Sequence, residues 1–538
     1  MEFEPTIGFE VHAQLRTRTK IFCGCLNDVG GRPNSRTCPV CLGLPGALPV
    51  LNEEAVELGL RVAVALRSEV AGSSGFARKN YFYPDLPKGY QITQYAAPLA
   101  SGGYLDFDVG GATRRVRVVQ VHLEEDAGKS VHSGGGNGVS LVDMNRCGVP
   151  LVEIVTRPDI TSIEEADAFL NELRLVLLYL GVSSANMHEG SLRFDTNVSV
   201  SPAGSALMGT RTEVKNLNSF RAVRRALRFE IERQSELLSG GLAVHHETLL
   251  WDENAERAVP MRSKEAASDY RYFPEPDLVD FSVSEERLGR ARRRVPDLPE
   301  EVRRRFRDVH GLKPYVASVL ASDPDVALFY ELTLRSTMRA IGHGGGDPGG
   351  PDTESAPAGS SSPLSPTSPA AGDAPDGVAD TVASWVSVVL AGYLNERGLS
   401  LSALAERAPA TSRSGNARER LTALAARLGD VVASRLAGAV SEPAARRLFT
   451  AAMESGDSVE SLVDSLGLRA MADAAALGEV VAAVLENHPE EVRRYRSGAA
   501  RLLRYFVGQV LKETGGSADP EEAARLLREK LDSGGDVA

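Results

Sequence analysis

No run of about 18 apolar residues occurs in this 538-residue chain, so a membrane span is not expected. Also missing is a basic region followed by an apolar core near the start, and an Arg/Ser-rich amphipathic leader. Strand-like alternation is under way by Thr6 and Ile7, so a signal or transit peptide is not expected and a cytoplasmic location follows by default. Positive charge is in deficit: 60 Lys and Arg against 72 Asp and Glu leave a net charge of -12. That excludes a blanket attraction for nucleic acid, and any RNA binding must come from local basic patches. Glycine loops for phosphate are absent too. Gly128-Lys129-Ser130 lacks the partner Gly five positions earlier, where Leu123 stands, and no Gly-x-Gly-x-x-Gly opens a helix in a βαβ setting. A bound nucleotide would therefore need a metal-and-cation cradle on a sheet.

Cysteine is scarce, but four of the five cysteines cluster as Cys23-x-Cys25 and Cys38-x-x-Cys41. Two close pairs on short turns have the spacing of a four-thiolate zinc site, and Gly24, Pro39 and Gly43 favour those turns. Four protein ligands leave no open position, so such a zinc is structural. Cys147 stands alone and reads as a buried free thiol.

The composition, 43% hydrophobic and 25% charged, is that of an ordinary globular protein, and the length favours several domains. Residues 1–290 read as α+β. Ser162 and Glu165 form a capping box before a helix that Gly181 stops, and Ser219 caps a second helix ending near Gly240. From about residue 291 Ala, Leu, Glu and Arg take over, with helical spacing over 295–341 and 379–396 in a domain reaching residue 400. Within it, 343–377 is Gly, Pro, Ser and Ala with almost no large apolar residue, and is expected to be a disordered insert. Residues 401–538 read as a helical tail domain, with Pro443, Pro489 and Pro520 at helix starts.

Four runs carry the chemistry. Residues 7–14 alternate Ile7, Phe9, Val11 and Ala13 with Gly8, Glu10, His12 and Gln14. Residues 119–124 alternate apolar side chains with Gln120, His122 and Glu124. In 192–200 the polar face is Arg193, Asp195 and Asn197, and in 210–215 it is Arg211, Glu213 and Lys215. Side chains alternate between the two faces of a strand, so each run can bury one face and offer acids, a His or cations on the other. A single such run is most simply the wet face of an antiparallel sheet. Four of them in one sheet would make a concave acidic surface suited to Mg2+ and phosphate. Lys215 and Asn216 lie just before the Ser219 helix start, a plausible anion-binding corner. Residues 78–90, and the segments 262–265 and 269–277, are loops dense in aromatics, cations and prolines, suited to base stacking and phosphate contact or simply to packing on the core.

These residues resemble the B-subunit family of bacterial aspartyl/glutamyl-tRNA amidotransferases. The resemblance is carried by Ile7-Gly8-Phe9-Glu10-Val11-His12, the Cys pairs, the 78–90 loop, His122-Leu123-Glu124-Glu125-Asp126, Met187-His188-Glu189-Gly190-Ser191-Leu192-Arg193, residues 212–220 and residues 269–278. It spans nearly the whole chain. It implies an antiparallel-sheet cradle domain of the glutamine synthetase/guanido kinase type over 1–290, with the zinc knob at 23–41. All-α helical and YqeY-like tail domains would follow. It also implies ATP-dependent phosphorylation of the side-chain carboxylate of Glu on tRNA(Gln), or Asp on tRNA(Asn), then amidation with ammonia. That ammonia would be made by a glutaminase, the A component, with a C component completing a heterotrimer.

Phosphoryl transfer asks mainly for positioning and charge neutralisation. On that footing Glu10, His12, Glu124, Glu125, Asp195 and Glu213 are the candidate Mg2+ ligands. Glu124 and Glu125 are both kept because the strand could end at Leu123. Arg193 and Lys215, with Asn216, are candidates for the phosphates of ATP. Lys79 and the neighbouring tyrosines are candidates for the tRNA acceptor end or the ammonia exit. Phe194 and Thr196 are larger than the resemblance leads one to expect, but they lie on the apolar face. Gly498-Ala499-Ala500-Arg501 stands where lysines are usual, while Arg493, Arg494, Arg496, Arg501, Arg504 and Lys512 still leave a basic surface for the tRNA body. Two other readings compete: a non-catalytic tRNA-docking module, and a small-molecule amide ligase, which would have no use for so long a helical tail.

Overall fold

A computed structural model describes residues 2–28, 30–132, 140–261, 270–342, 375, 377–407, 416–470 and 474–532. The expected insert over 343–377, apart from residues 375 and 377, and the segment 262–269 lie outside these. The described residues form two units, divided at Glu300.

The first unit is built on a large sheet. Its main path uses β1 (Phe3–Gln14), β2 (Ala77–Asn80), β3 (Tyr90–Thr93), β4 (Ala112–Glu125), β5 (Pro150–Thr156), β6 (Leu192–Pro202), β7 (Thr212–Leu217), β8 (Thr248–Asp252), β9 (Arg257–Pro260) and β10 (Phe273–Pro274). Their order across the sheet is β9-β8-β7-β6-β1-β5-β4-β3-β2-β10. Pairing along this path is antiparallel except between β7 and β8, which run parallel. All four alternating runs lie in this one sheet. Between two of them sits β5, a strand the alternation does not announce.

Period-two alternation sends Ile7, Phe9, Val11 and Ala13 of β1 into the core, with Val121 and Leu123 of β4, Val152 and Ile154 of β5, and Phe194 and Val198 of β6. The helices α1 (Glu53–Ala65), α2 (Ile163–Tyr179) and α3 (Phe220–Ser239), with Ala291 of the short helix Glu285–Arg293, complete that core. Phe169 of α2 stacks on Phe9 at 6.1 Å, and Phe194 meets Phe9 and Phe220 edge-on. Each such fully buried side chain contributes roughly 1.5–3 kcal/mol. Thr196, also wholly buried, donates its hydroxyl to the Gly8 carbonyl at 3.4 Å, so both larger residues are absorbed by the core face.

The helix caps follow their sequence signals with one shift. Ser162 Oγ accepts the Glu165 N–H, but Glu165 reaches past Ser162 to the Thr161 N–H and hydroxyl. Ser219 Oγ accepts the Ala222 N–H at 3.0 Å. Gly128-Lys129-Ser130 leads into the hairpin strand Lys129–His132 rather than a helix.

The second unit is helical. The expected span 295–341 resolves into Pro299–Asp308, Pro314–Leu320 and Pro324–Ala340, because each proline starts a new helix. Val378–Arg397 is one continuous helical run with a widened turn over Trp385–Leu390. By length and mean hydropathy alone it meets the measure of a membrane span, although Asp380, Thr381, Ser384 and Ser387 interrupt its apolar residues. Val382, Ala383, Trp385 and Val386 are nonetheless buried among the other helices of the unit, Trp385 against Phe449. Toward the end, Leu477, Val481, Phe506, Val510, Ala523 and Leu527 form a separate small core.

Candidate active site

The wet face of the sheet is assembled by register. Glu10 pairs with Asp195 across β1 and β6, and His12 lies opposite Arg193 on one side and Glu153 on the other. Glu153 faces His122 on β4, and Asn197 faces Glu213 on β7. Two groups of potential ligands result: His12, Glu124 and Glu153, and, one step along β1, Glu10, Asp195 and Glu213. In each group one ligand atom per residue lies within 4.8 Å of the others.

Glu153 is the residue that sequence reasoning missed. It sits in Pro150–Thr156, where Val152 and Ile154 face the core and Leu151 is also buried, so the strand reads as continuously apolar. A lone acid inside such a run was the available signal. Its Oε2 lies 2.7 Å from His122 Nε2 and 3.4 Å from His12 Nε2, while Glu124 Oε1 is 3.5 Å from His12 Nε2.

The electrostatics follow from this crowding. Burial alone would lower the His12 pKa, but the Glu153 and Glu124 carboxylates outweigh it and raise it to about 9. Burial and the neighbouring Glu153 raise Glu124, whereas Glu153, held by both imidazoles against its own burial, is lowered. Glu10 is raised by burial and then by Glu153 and Glu213. Acids gathered this closely favour a cation between them.

The cations take separate places. A bulge puts one more residue on β7 than on β6 between the Thr196–Val214 and Phe194–Leu217 pairs, with Asn216 at φ +67°. Lys215, on that bulge, bridges Asp195 Oδ2 and Glu213 Oε1, each at 2.8 Å. Asn216 itself is committed to the turn: its amide donates to the Trp251 carbonyl and its oxygen accepts from Asn218. Arg193 points to Asp126 Oδ2 at 2.9 Å, a carboxylate also held by Gln14 and Arg146. Glu125 turns away from both acid groups to pair with Lys88 and accept the Ile92 N–H. Lys79 lies between the rings of Tyr270 and Tyr81, at 5.0 and 5.9 Å from their centroids, and Glu124 and Glu153 draw its pKa up against burial.

Cys23, Cys25, Cys38 and Cys41 converge, their sulfurs within 4.8 Å of one another and unbridged. Cys38 and Cys41 Sγ are 3.9 Å apart, close to the about 3.8 Å edge of a tetrahedral zinc–thiolate site. Lys20, fully buried, brings its ammonium to 3.8 Å from Cys41 Sγ. Cys147 is buried apart from them, and burial pushes its thiol up to about 12.

A mixed α+β unit with acids and cations on one sheet face, followed by a helical region, defines a broad class; comparison with known proteins narrows it. Residues 5–289 match the family described as GatB/GatE catalytic domain, and residues 371–531 match the GatB domain. The B subunit of aspartyl/glutamyl-tRNA(Asn/Gln) amidotransferase from Moorella thermoacetica is 43% identical over 532 residues, covering 99% of this chain and 100% of the relative. The proteins of the same name from Persephonella marina and Anaeromyxobacter dehalogenans are 40% and 43% identical, covering 99% and 98% of this chain and 100% and 99% of theirs. The chain belongs to this family of amidotransferase B subunits.

Proposed function

We propose that this chain uses ATP to activate the side-chain carboxylate of Glu on tRNA(Gln), of Asp on tRNA(Asn), or of both, and then admits ammonia to form the amide. The γ-phosphoryl group passes to a carboxylate oxygen, leaving ADP. The nitrogen of ammonia then attacks the carbonyl carbon, and phosphate departs with the C–O electron pair as a proton is lost. The observation that carries this reading is the pair of acid groups built on Glu10 and His12 of one strand. A carboxylate is a poor electrophile, and converting it to an acyl phosphate demands that charge be neutralised along the transferring group.

The residues divide that work. His12, Glu124 and Glu153 would hold one divalent cation and Glu10, Asp195 and Glu213 a second; such ions, as Mg2+, supply neutralisation and in-line positioning of phosphate oxygens. Lys215, already at the second group, can exchange its carboxylate partners for phosphate. Arg193, by pinning Asp126, orients the adjoining end of β4 and remains within reach of the same groove. The four thiolates suit a structural Zn2+.

In this reading the first unit is a cradle of the glutamine synthetase/guanido kinase type, and the exposed arginines Arg493, Arg494, Arg496, Arg501 and Arg504 contact the tRNA body. The chain works in the cytoplasm as one member of a heterotrimer, with a glutaminase A component as the source of ammonia and a C component as the third member. Supporting it are the names of the relatives and the geometry of the acid face.

The test is to combine the chain with its A and C partners, Glu-tRNA(Gln), ATP, Mg2+ and ammonium, and to follow ADP and Gln-tRNA together, repeating with Asp-tRNA(Asn). Both products should appear and both should be lost in Glu213→Gln. Tight tRNA binding with no ADP from either substrate would instead make the chain a docking module.

A further inference from the structure

Beyond the acid groups, one side of the groove is an aromatic wall. It starts at Lys79, under the ring of Tyr270, and continues edge-on from Tyr270 to Tyr272 at 6.0 Å. It ends in Tyr95, whose ring lies flat on Tyr272 with centroids 3.9 Å apart and planes 5° from parallel. The Tyr81–Tyr83, Tyr81–Tyr270 and Tyr270–Tyr272 pairs all meet edge-to-face, a preferred arrangement of aromatic pairs. Tyr95 differs in being flat-stacked and 58% exposed, so one face is supported and the ring is otherwise open to solvent.

Its position is held firmly. Gln94, next to it, donates to Ser74 Oγ at 2.6 Å and accepts the Leu99 and Leu123 N–H groups. Two residues before Tyr95, Thr93 places its hydroxyl 3.3 Å from Glu124 Oε2. The platform is thus tied to a member of the first acid group.

We infer that Tyr95, backed by Tyr272, is the stacking platform for the 3′-terminal nucleobase of the charged tRNA. This rests on the proposed function. Base–aromatic stacking is the general means by which proteins hold unpaired nucleotides, and it needs an open ring. Two adenines are available to such an enzyme, that of ATP and the last base of the tRNA. Location decides for the tRNA. Lys215 stands on β7 beside Asp195 and Glu213, whereas Tyr95 follows β3, five strand steps from β7 and so about 24 Å across the sheet. The first acid group, on β1, β5 and β4, lies between, which lets nucleotide and acceptor end approach the same carboxylate from opposite wings. Neither substrate then needs to cross the other.

The experiment uses the complete complex and a tRNA whose terminal adenosine is replaced by 2-aminopurine, a base whose fluorescence is quenched on stacking. Binding to the wild type should quench it, and saturating ATP should leave the quench in place. Tyr95→Ala should abolish the quench and raise KM for charged tRNA about tenfold, with the change on KM rather than kcat. Tyr95→Phe, which keeps the ring, should restore both. No quench in a wild type that still amidates unmodified Glu-tRNA(Gln) overturns the inference and leaves the function intact. So does a quench that persists in Tyr95→Ala, or one that ATP reverses, which would give the platform to the nucleotide. Absence of ADP and amide with unmodified tRNA is the separate failure of the proposed function. Should Tyr95→Ala melt early, Tyr272→Leu removes the supporting ring and tests the same stack.

Discussion

His12 Nε2 lies 3.4 Å from Glu153 Oε2, and the two residues are direct cross-strand partners on β1 and β5. That one pairing joins a strand whose alternation is obvious to a strand whose alternation is hidden. It also accounts for most of the electrostatic character of the first acid group. Glu153 is shared by two imidazoles, and both are held in their protonated direction by it.

Glu153→Gln therefore should act on the metal rather than on the fold. Gln keeps the size but loses the charge that His12 and His122 use and that the proposed cation would use. The Mg2+ concentration giving half-maximal ADP formation should rise about 10–100-fold. Glu125→Gln, outside both acid groups, should leave that Mg2+ dependence in place. Titrating Mg2+ in the ADP assay checks both, and an unchanged midpoint in Glu153→Gln would remove it from the site.

If the four thiols hold the proposed zinc, replacing Cys41 with Ser should remove it and loosen the knob. Elemental analysis should fall from one zinc per chain toward none, since a tetrahedral site loses a thiolate and gains a poor ligand. The lost structure is local, so ATP-driven chemistry should decline less than thermal stability.

Arg78 and Glu275 make a buried, two-pronged ion pair in the first unit. Nε and one terminal nitrogen of Arg78 reach the two Glu275 oxygens at 2.7 and 2.8 Å, and the Glu275 side chain has no exposure. Arg78→Met would strand that carboxylate and should cost about 3–5 kcal/mol in urea unfolding. The Lys replacement should recover only part of this, because an ammonium cannot bond both oxygens in the same plane.

In the second unit, His310 stacks on Phe306 and meets the Tyr330 hydroxyl at 3.1 Å. Burial, and then Arg305, lower its pKa from 6.5 to about 4. The unfolded chain thus binds a proton that the folded chain refuses between those values, so stability falls as pH drops from about 6.5 to about 4 and is level above. The effect should be about 2 kcal/mol after allowing for partial exposure. The difference in urea midpoint between wild type and His310→Phe, followed across that window, should show it. A difference that does not vary with pH would assign the histidine a packing role only.

Much of the site is legible in the residue pattern. Period two in 7–14, 119–124, 192–200 and 210–215 places Glu10, His12, Glu124, Asp195 and Glu213 on wet faces, since adjacent side chains on a strand must diverge. The Cys spacing likewise brings four sulfurs together through local turns. Glu153 shows only as a lone acid in an apolar run, without alternation to place it, because β5 is sandwiched between β1 and β4 and its neighbours are apolar on both faces. Glu125 cannot be separated from Glu124 by pattern alone. The strand runs on through Glu125, and alternation then carries that side chain to Lys88. Nor can the pattern say that Arg193 faces Asp126 or that Asn216 is absorbed in a bulge, since both depend on strands distant in sequence.

By itself, then, the amino-acid sequence determined which residues share a face, where helices are capped and which motifs mark the family, because these rest on neighbours a few positions apart. The tertiary structure decided which faces meet. Register set Glu153 between His12 and His122 and divided the acids into two groups along one strand, and packing outside the strands placed Tyr95 flat against Tyr272, residues 177 positions apart in the chain. Such partners are chosen by long-range strand pairing and by the segments packed over it, for which no local pattern carries a signal.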